Sequence, residues 1–232
     1  MWRNPFKQLN KRDRSILVVS LTVVTVCNWM TPSAAWITKI AAVIGAVALV
    51  FMAKGDVWGQ ILTAVFSVLY GITSWQFRYY GEMVTYLGMT LPMAVLAVFS
   101  WLRHPYEGNT AQVEIHRLTR RQWVWMVVLT VVVTAVLGVV LWWLKTPNLF
   151  WSTVSVITSF LASYLTFYRS SYYAIAYAAN DVVLIILWVL ASVKDPGFTP
   201  MIGCFSMFLL NDLYAFSSWK GREKTQHTGE RK

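Results

Sequence analysis

The chain has 232 residues, 57% of them hydrophobic and 13% charged, with a mean hydropathy of +0.51. A soluble domain of this size could not hide that much apolar surface, so the composition describes a polytopic membrane protein built as one bundle. The formal net charge of +10 lies mostly at the termini and in one loop, a distribution that fits orientation in a lipid bilayer and argues against nucleic-acid binding.

Residues 1–14 form a basic tail with no early small-residue cleavage site, which argues against a signal peptide. Apolar segments then recur at about 15–30, 34–53, 57–77, 80–102, 123–144, 149–168, 172–193 and 198–219, each close to the roughly 20 residues a bilayer requires. The first stops near Thr31-Pro32, the second at the Lys54-Gly55-Asp56 turn and the fifth at Lys145-Thr146-Pro147; Pro92 interrupts the fourth. A polar loop, RHPYEGNTAQVEIHRLTRRQ, separates the fourth and fifth segments. Thirteen Trp and eleven Tyr suit interfacial belts, and some can serve as ring-stacking partners.

Charge tests the number of crossings. With eight, both termini share a side with the loops after helices two, four and six, and that side collects sixteen Lys and Arg against four (Lys39, Arg78, Lys145 and Lys194) opposite. This asymmetry places both tails in the cytoplasm. An ungapped shift of 118 residues lays helix three on seven and four on eight, matching Val65 with Val183, Leu69 with Leu187, Met89 with Met207 and Ser100-Trp101 with Ser218-Trp219. A rival shift of 144 pairs helix three with eight and would imply an inverted repeat; the 118 shift fits two consecutive helices and is preferred. The expected fold is therefore all-α and polytopic, with eight transmembrane helices. Residues 1–33 carry the tail and an extra N-terminal helix, 34–103 a first three-helix unit, 104–146 a cytoplasmic loop and linking helix, 147–219 a second unit, and 220–232 a basic cytoplasmic tail. Parallel repeats joined by one inverting helix form the 3+1+3 arrangement of the sugar-transporting SWEET proteins.

Asn180 and Asn211 interrupt apolar helices near the expected midplane, where polar groups are expensive and usually face a bundle interior. Trp188, two turns after Asn180, and Tyr214, three residues after Asn211, share a face with those amides. An amide beside a stacking aromatic suits a flat, amide-bearing ring or a nucleoside-like ligand; the plainer alternative is that both asparagines tie helix to helix. Asp181 and Asp212 point roughly 100° away from their neighbours and are open to pairing with a cation, capping water or carrying a proton. Gln76 and Glu82 flank the turn between helices three and four, as either interface residues or part of a site. The absence of Lys or Arg near the midplane argues against a multiply anionic substrate.

Catalytic readings are thin. No His falls in a spanning segment to serve a nucleophile, and there is no Gly-rich phosphate loop or HExxH spacing. Cys27 and Cys204 lie far apart in sequence, and His104, His116 and His227 are scattered, so no metal site, no cofactor and no enzymatic activity is expected.

The chain resembles the PnuC family of bacterial vitamin transporters. The likeness rests on LVFMAKGDVWGQILTAVFSVLYGITSWQFRYYGEM, on LTRRQW before helix five, and on AANDVVLIILW and NDLYAFSSWK, together covering roughly residues 36 to 221. Phe66 stands where the family pattern carries Asn. The resemblance implies a SWEET-like fold and a homotrimer in the bacterial inner membrane. It implies nicotinamide riboside as substrate, moved by facilitated diffusion and trapped by a cytoplasmic riboside kinase. Thiamine, riboflavin or a sugar are the alternatives. Matched by position, it implies a substrate site of Gln76, Glu82, Asn180, Trp188, Asn211 and Tyr214.

Overall fold

Eight long helices dominate the computed structural model, which describes residues 5–30, 36–76, 80–107 and 109–229. They are α1 (Lys11–Trp29), α2 (Trp36–Lys54), α3 (Val57–Gln76), α4 (Tyr80–Arg103), α5 (Arg120–Trp143), α6 (Leu149–Phe167), α7 (Tyr173–Lys194) and α8 (Thr199–Gly229). Thr31-Pro32, Ala34, Phe77 and Arg78, named above as boundaries or charges, lie outside the described residues. Among the described residues, α2 to α7 are each long and apolar enough to cross a membrane. The other two are more polar: α1 opens on Lys11, Arg12, Asp13 and Arg14, and α8 carries Asn211-Asp212 inside its apolar part.

Helix starts follow local chemistry. Asn10 accepts from the Asp13 N–H at 2.9 Å while the Asp13 carboxylate accepts from the Asn10 N–H at 2.9 Å, so α1 begins four residues earlier than its apolar run. Thr119 and Gln122 make the same reciprocal cap for α5. Gly55 turns the chain between α2 and α3 at φ +70°, a conformation that favours glycine. In α4, Pro92 cannot donate to the preceding turn, and the helix widens to a π turn over Tyr86–Thr90 in which the Leu91 N–H reaches the Tyr86 carbonyl.

Six helices close a ring. α3 packs on α2 and α4, α7 packs on α6 and α8, and the halves meet where α2 lies on α8 and α4 on α6. α1 packs outside the ring on α2 and α8, and α5 packs outside it on α6. The two tryptophans matched by the 118-residue shift make equivalent bonds across the seams. Trp101 Nε1 of α4 donates to the Thr166 carbonyl of α6, and Trp219 Nε1 of α8 donates to the Met52 carbonyl of α2, each at 2.9 Å. Their rings meet with centroids 5.5 Å apart, and both side chains are fully buried.

Two features differ from the sequence reading. The polar loop contains a short antiparallel hairpin, Pro105–Tyr106 paired with Asn109–Val113, which the Val113 N–H ties to the Gly55 carbonyl at 2.9 Å. The expected basic tail after Trp219 is helical to Gly229, because its polar side chains find partners. Gln226 bonds the backbone of Ile115 and Val113, and Glu223 accepts from Ser171 and Arg117 at 2.7 Å each and from Lys220 at 3.0 Å. Burial works against the charged form of Glu223, but these three donors outweigh it and hold its pKa down to about 2.

Candidate functional site

A cavity of about 80 Å³ sits at the centre of the ring, and every ring helix contributes to it. Gly45 and Met52 come from α2, Phe66 from α3, Tyr86 and Thr90 from the π turn of α4, Ser159 from α6, Tyr177, Asn180 and Asp181 from α7, and Phe208 and Asp212 from α8. No Lys or Arg is among its described lining residues. The π turn runs from Tyr86 to Thr90, and both of its end residues line the cavity. Tyr86 packs on Tyr70 (4.5 Å between centroids) and Phe66 (5.8 Å), giving the α3–α4 wall an aromatic lining.

A narrow gap lined by Glu82, Thr85, Tyr86, Thr146, Ser152, Ser155, Ser159 and Leu187 leads away from the cavity. Beyond it, and sharing part of its wall, lies a vestibule of about 290 Å³ at the α3–α4 end of the bundle. Tyr80, Glu82, Lys145, Asn148, Ser152 and Trp188 line this outer space. The shared residues Glu82, Ser152 and Leu187 on one side, and Tyr86 and Ser159 on the other, make the three spaces neighbours along one column.

The structure brings three of the six residues expected at a site to this column. Asn180 lines the central cavity, and its Oδ1 accepts from Thr158 (2.8 Å) and Ser159 (2.9 Å) on α6. With the oxygen so occupied, the NH₂ is what Asn180 has left to offer a ligand. Trp188 lies two turns further along α7 in the vestibule wall, and its ring stacks on Phe205 at 6.2 Å and 21°. Glu82 lines both gap and vestibule and accepts from the Tyr70 hydroxyl at 2.7 Å. The Gln76 side chain lies outside the described residues.

Asn211 and Tyr214 are turned elsewhere. Asn211 exchanges hydrogen bonds with Ser20 of α1 (2.9 and 3.2 Å), and its Nδ2 also donates to the Met207 carbonyl. The Tyr214 hydroxyl donates to Asp13 Oδ1 at 2.5 Å, and the same carboxylate meets Lys54 at 2.9 Å. For Asp13, burial opposes ionisation, yet the bonds from Tyr214, Lys54 and the Asn10 N–H leave its pKa below the ordinary value. These contacts fasten α1 to the ring, as the helix-to-helix alternative supposed for Asn211. Residues the sequence reading did not assign to a site are Tyr86, Tyr177 and Ser159, and Phe66, noted there only for the Asn it replaces, joins them in the cavity wall. The tyrosines counted among the belt residues in sequence; the nearness of Tyr86 to Pro92 was the available signal.

The nicotinamide mononucleotide transporter family matches residues 35–221. The nicotinamide riboside transporter PnuC of Neisseria mucosa is 29% identical over 204 residues, covering 84% of this chain and 75% of that protein. The nicotinamide riboside transporter PnuC of Haemophilus influenzae is 24% identical over 185 residues, covering 79% of each. The crystal structure of the vitamin B3 transporter PnuC is similar with a TM-score of 0.80 at 27% identity, covering 94% of both chains.

Proposed function

The chain belongs to the nicotinamide mononucleotide transporter family, and from that premise we propose that it carries nicotinamide riboside through the cavity enclosed by its six-helix ring. The observation that carries this reading is the column itself: a vestibule, a hydroxyl-lined gap and a central, aromatic-walled cavity that adjoin in sequence, all six ring helices contributing to the cavity. The column also bears on the choice between riboside and mononucleotide. A phosphate would favour a cationic site, and Lys and Arg do not occur among the described residues lining the central cavity.

In this proposal the substrate enters at the vestibule, where Trp188 offers a ring face and Glu82 a polar partner. It then passes inward to Asn180, whose NH₂ meets a carbonyl or hydroxyl of the riboside. Trp188 and Asn180 are about 12 Å apart along α7, comparable to the length of a riboside. Asn211 and Tyr214 hold α1 in place. Carriage proceeds by rocking of α2–α4 against α6–α8, two three-helix units of a SWEET-like 3+1+3 fold with α5 as the link and α1 as the extra helix. The equivalent bonds of Trp101 and Trp219 and the closed ring support that division.

The sixteen-to-four charge split supports eight crossings with both termini in the cytoplasm of a bacterial inner membrane. Net uptake follows the gradient that a cytoplasmic riboside kinase maintains by phosphorylation. The homotrimer belongs to the same reading; the exposed apolar face of α5, with Val124, Val131, Val139 and Trp142, supplies a surface for lipid or a neighbouring copy. Calorimetric titration of the purified protein with nicotinamide riboside, thiamine and riboflavin tests the assignment. Micromolar binding of the riboside that weakens in Trp188→Ala is expected. Binding of none of the three, or of thiamine or riboflavin in preference, would overturn it.

A further inference from the structure

Resting on the riboside reading, one feature of the cavity remains without a role. Asp181 of α7 and Asp212 of α8 both line it, 5% and 3% exposed, so two carboxyl groups face one small cavity. Asp181 Oδ2 has no hydrogen-bond partner among the described residues, although it is buried at the cavity wall. A pair that served only to tie α7 to α8 would have no use for that open oxygen.

The surroundings offer no compensating charge. The described lining residues include no Lys or Arg. The cations that the bundle does bury are committed at its hairpin end, Lys54 to Asp13 and Arg222 to Ser218. A carboxylate facing a membrane-embedded cavity without a counter-charge is costly, and a cation brought beside it offsets that cost. The other walls are Phe66, Tyr86, Tyr177 and Phe208, rings whose faces attract cations. Anion and ring faces together describe a receptor for a flat cation, and the pyridinium ring of nicotinamide riboside is one.

We infer that the Asp181–Asp212 carboxyl pair makes the cavity selective for a positively charged ring, so that the substrate is recognised by charge as well as by shape. Cation entry completes an ion pair that the empty cavity lacks.

Nicotinamide riboside and its 1,4-dihydro form supply the test, because reduction removes the ring's charge and changes its size little. Purified wild-type protein should bind the cationic form about tenfold more tightly or better than the neutral one. In Asp181→Asn and Asp212→Asn that preference should fall towards unity. Equal affinity of the wild type for both forms overturns the inference and leaves the riboside reading standing. Undiminished preference in both folded variants also overturns it, assigning the pair to helix packing. Failure of the wild type to bind either form would instead defeat the riboside reading on which the inference rests. Should one variant not fold, the wild-type ratio and the other variant still decide.

Discussion

Replacing Asn180 by Leu keeps the branched shape of the side chain and removes the one side-chain amide among the described residues of the cavity wall, so the result separates a ligand contact from a packing contact. On the protein side two hydrogen bonds are lost, from Thr158 at 2.8 Å and Ser159 at 2.9 Å. The Thr158 hydroxyl keeps the Val154 and Ser155 carbonyls, each at 3.1 Å, whereas Ser159 keeps no other side-chain hydrogen bond among the described residues. One unsatisfied hydroxyl beside a cavity costs about 1 kcal/mol, so the variant should fold with a modest loss of thermal stability. On the ligand side one neutral hydrogen bond disappears, worth about 0.5–1.5 kcal/mol, or about a 2- to 12-fold weaker Kd for nicotinamide riboside. Thr158→Val, which leaves Asn180 anchored by Ser159, should change the Kd by less than about twofold. Titration calorimetry and thermal unfolding of the same samples supply both numbers. A folded Asn180→Leu variant with wild-type affinity would refute a role for this amide in binding.

Tyr214→Phe removes the hydroxyl bonded to Asp13 at the α1–α8 seam and leaves Lys54 on that carboxylate. A loss of about 1.5 kcal/mol in unfolding stability with riboside affinity unchanged is expected, and a large loss of affinity would return Tyr214 to the binding site. Glu223, held at about 2 from an ordinary 4.5, binds fewer protons folded than unfolded between those values. Its contribution is therefore fully present above pH 4.5 and is lost as pH falls towards 2. Thermal scans should show Tm falling across that window in the wild type and falling less in Glu223→Gln; parallel acid limbs would contradict the assignment.

Much of this architecture is written in hydropathy, because a bilayer admits few solutions for an apolar run of about 20 residues. The eight helices emerge in order, with errors where polar residues are helical for reasons outside the helix. Residues 220–229 continue α8 because Glu223 and Gln226 find partners in the hairpin region, contacts that no local pattern announces. The short hairpin lacks the apolar alternation that signals a strand. At the site, Asn180 was legible as an amide in an apolar helix, while the α6 hydroxyls that hold it, Thr158 and Ser159, were not. Asn211 carries the same signature and faces α1, because periodicity gives a residue's face and not the neighbour that face meets. Phe66 and Tyr86 become a cavity wall only once the π turn brings α4 against α3.

Carriage of the riboside through the ring is tested most directly by counterflow in proteoliposomes of the purified full chain. Saturable uptake of labelled nicotinamide riboside, accelerated by unlabelled riboside inside, reduced in Trp188→Ala and indifferent to glucose, is expected. Uptake no faster than into protein-free liposomes, or uptake of glucose with none of the riboside, would contradict it.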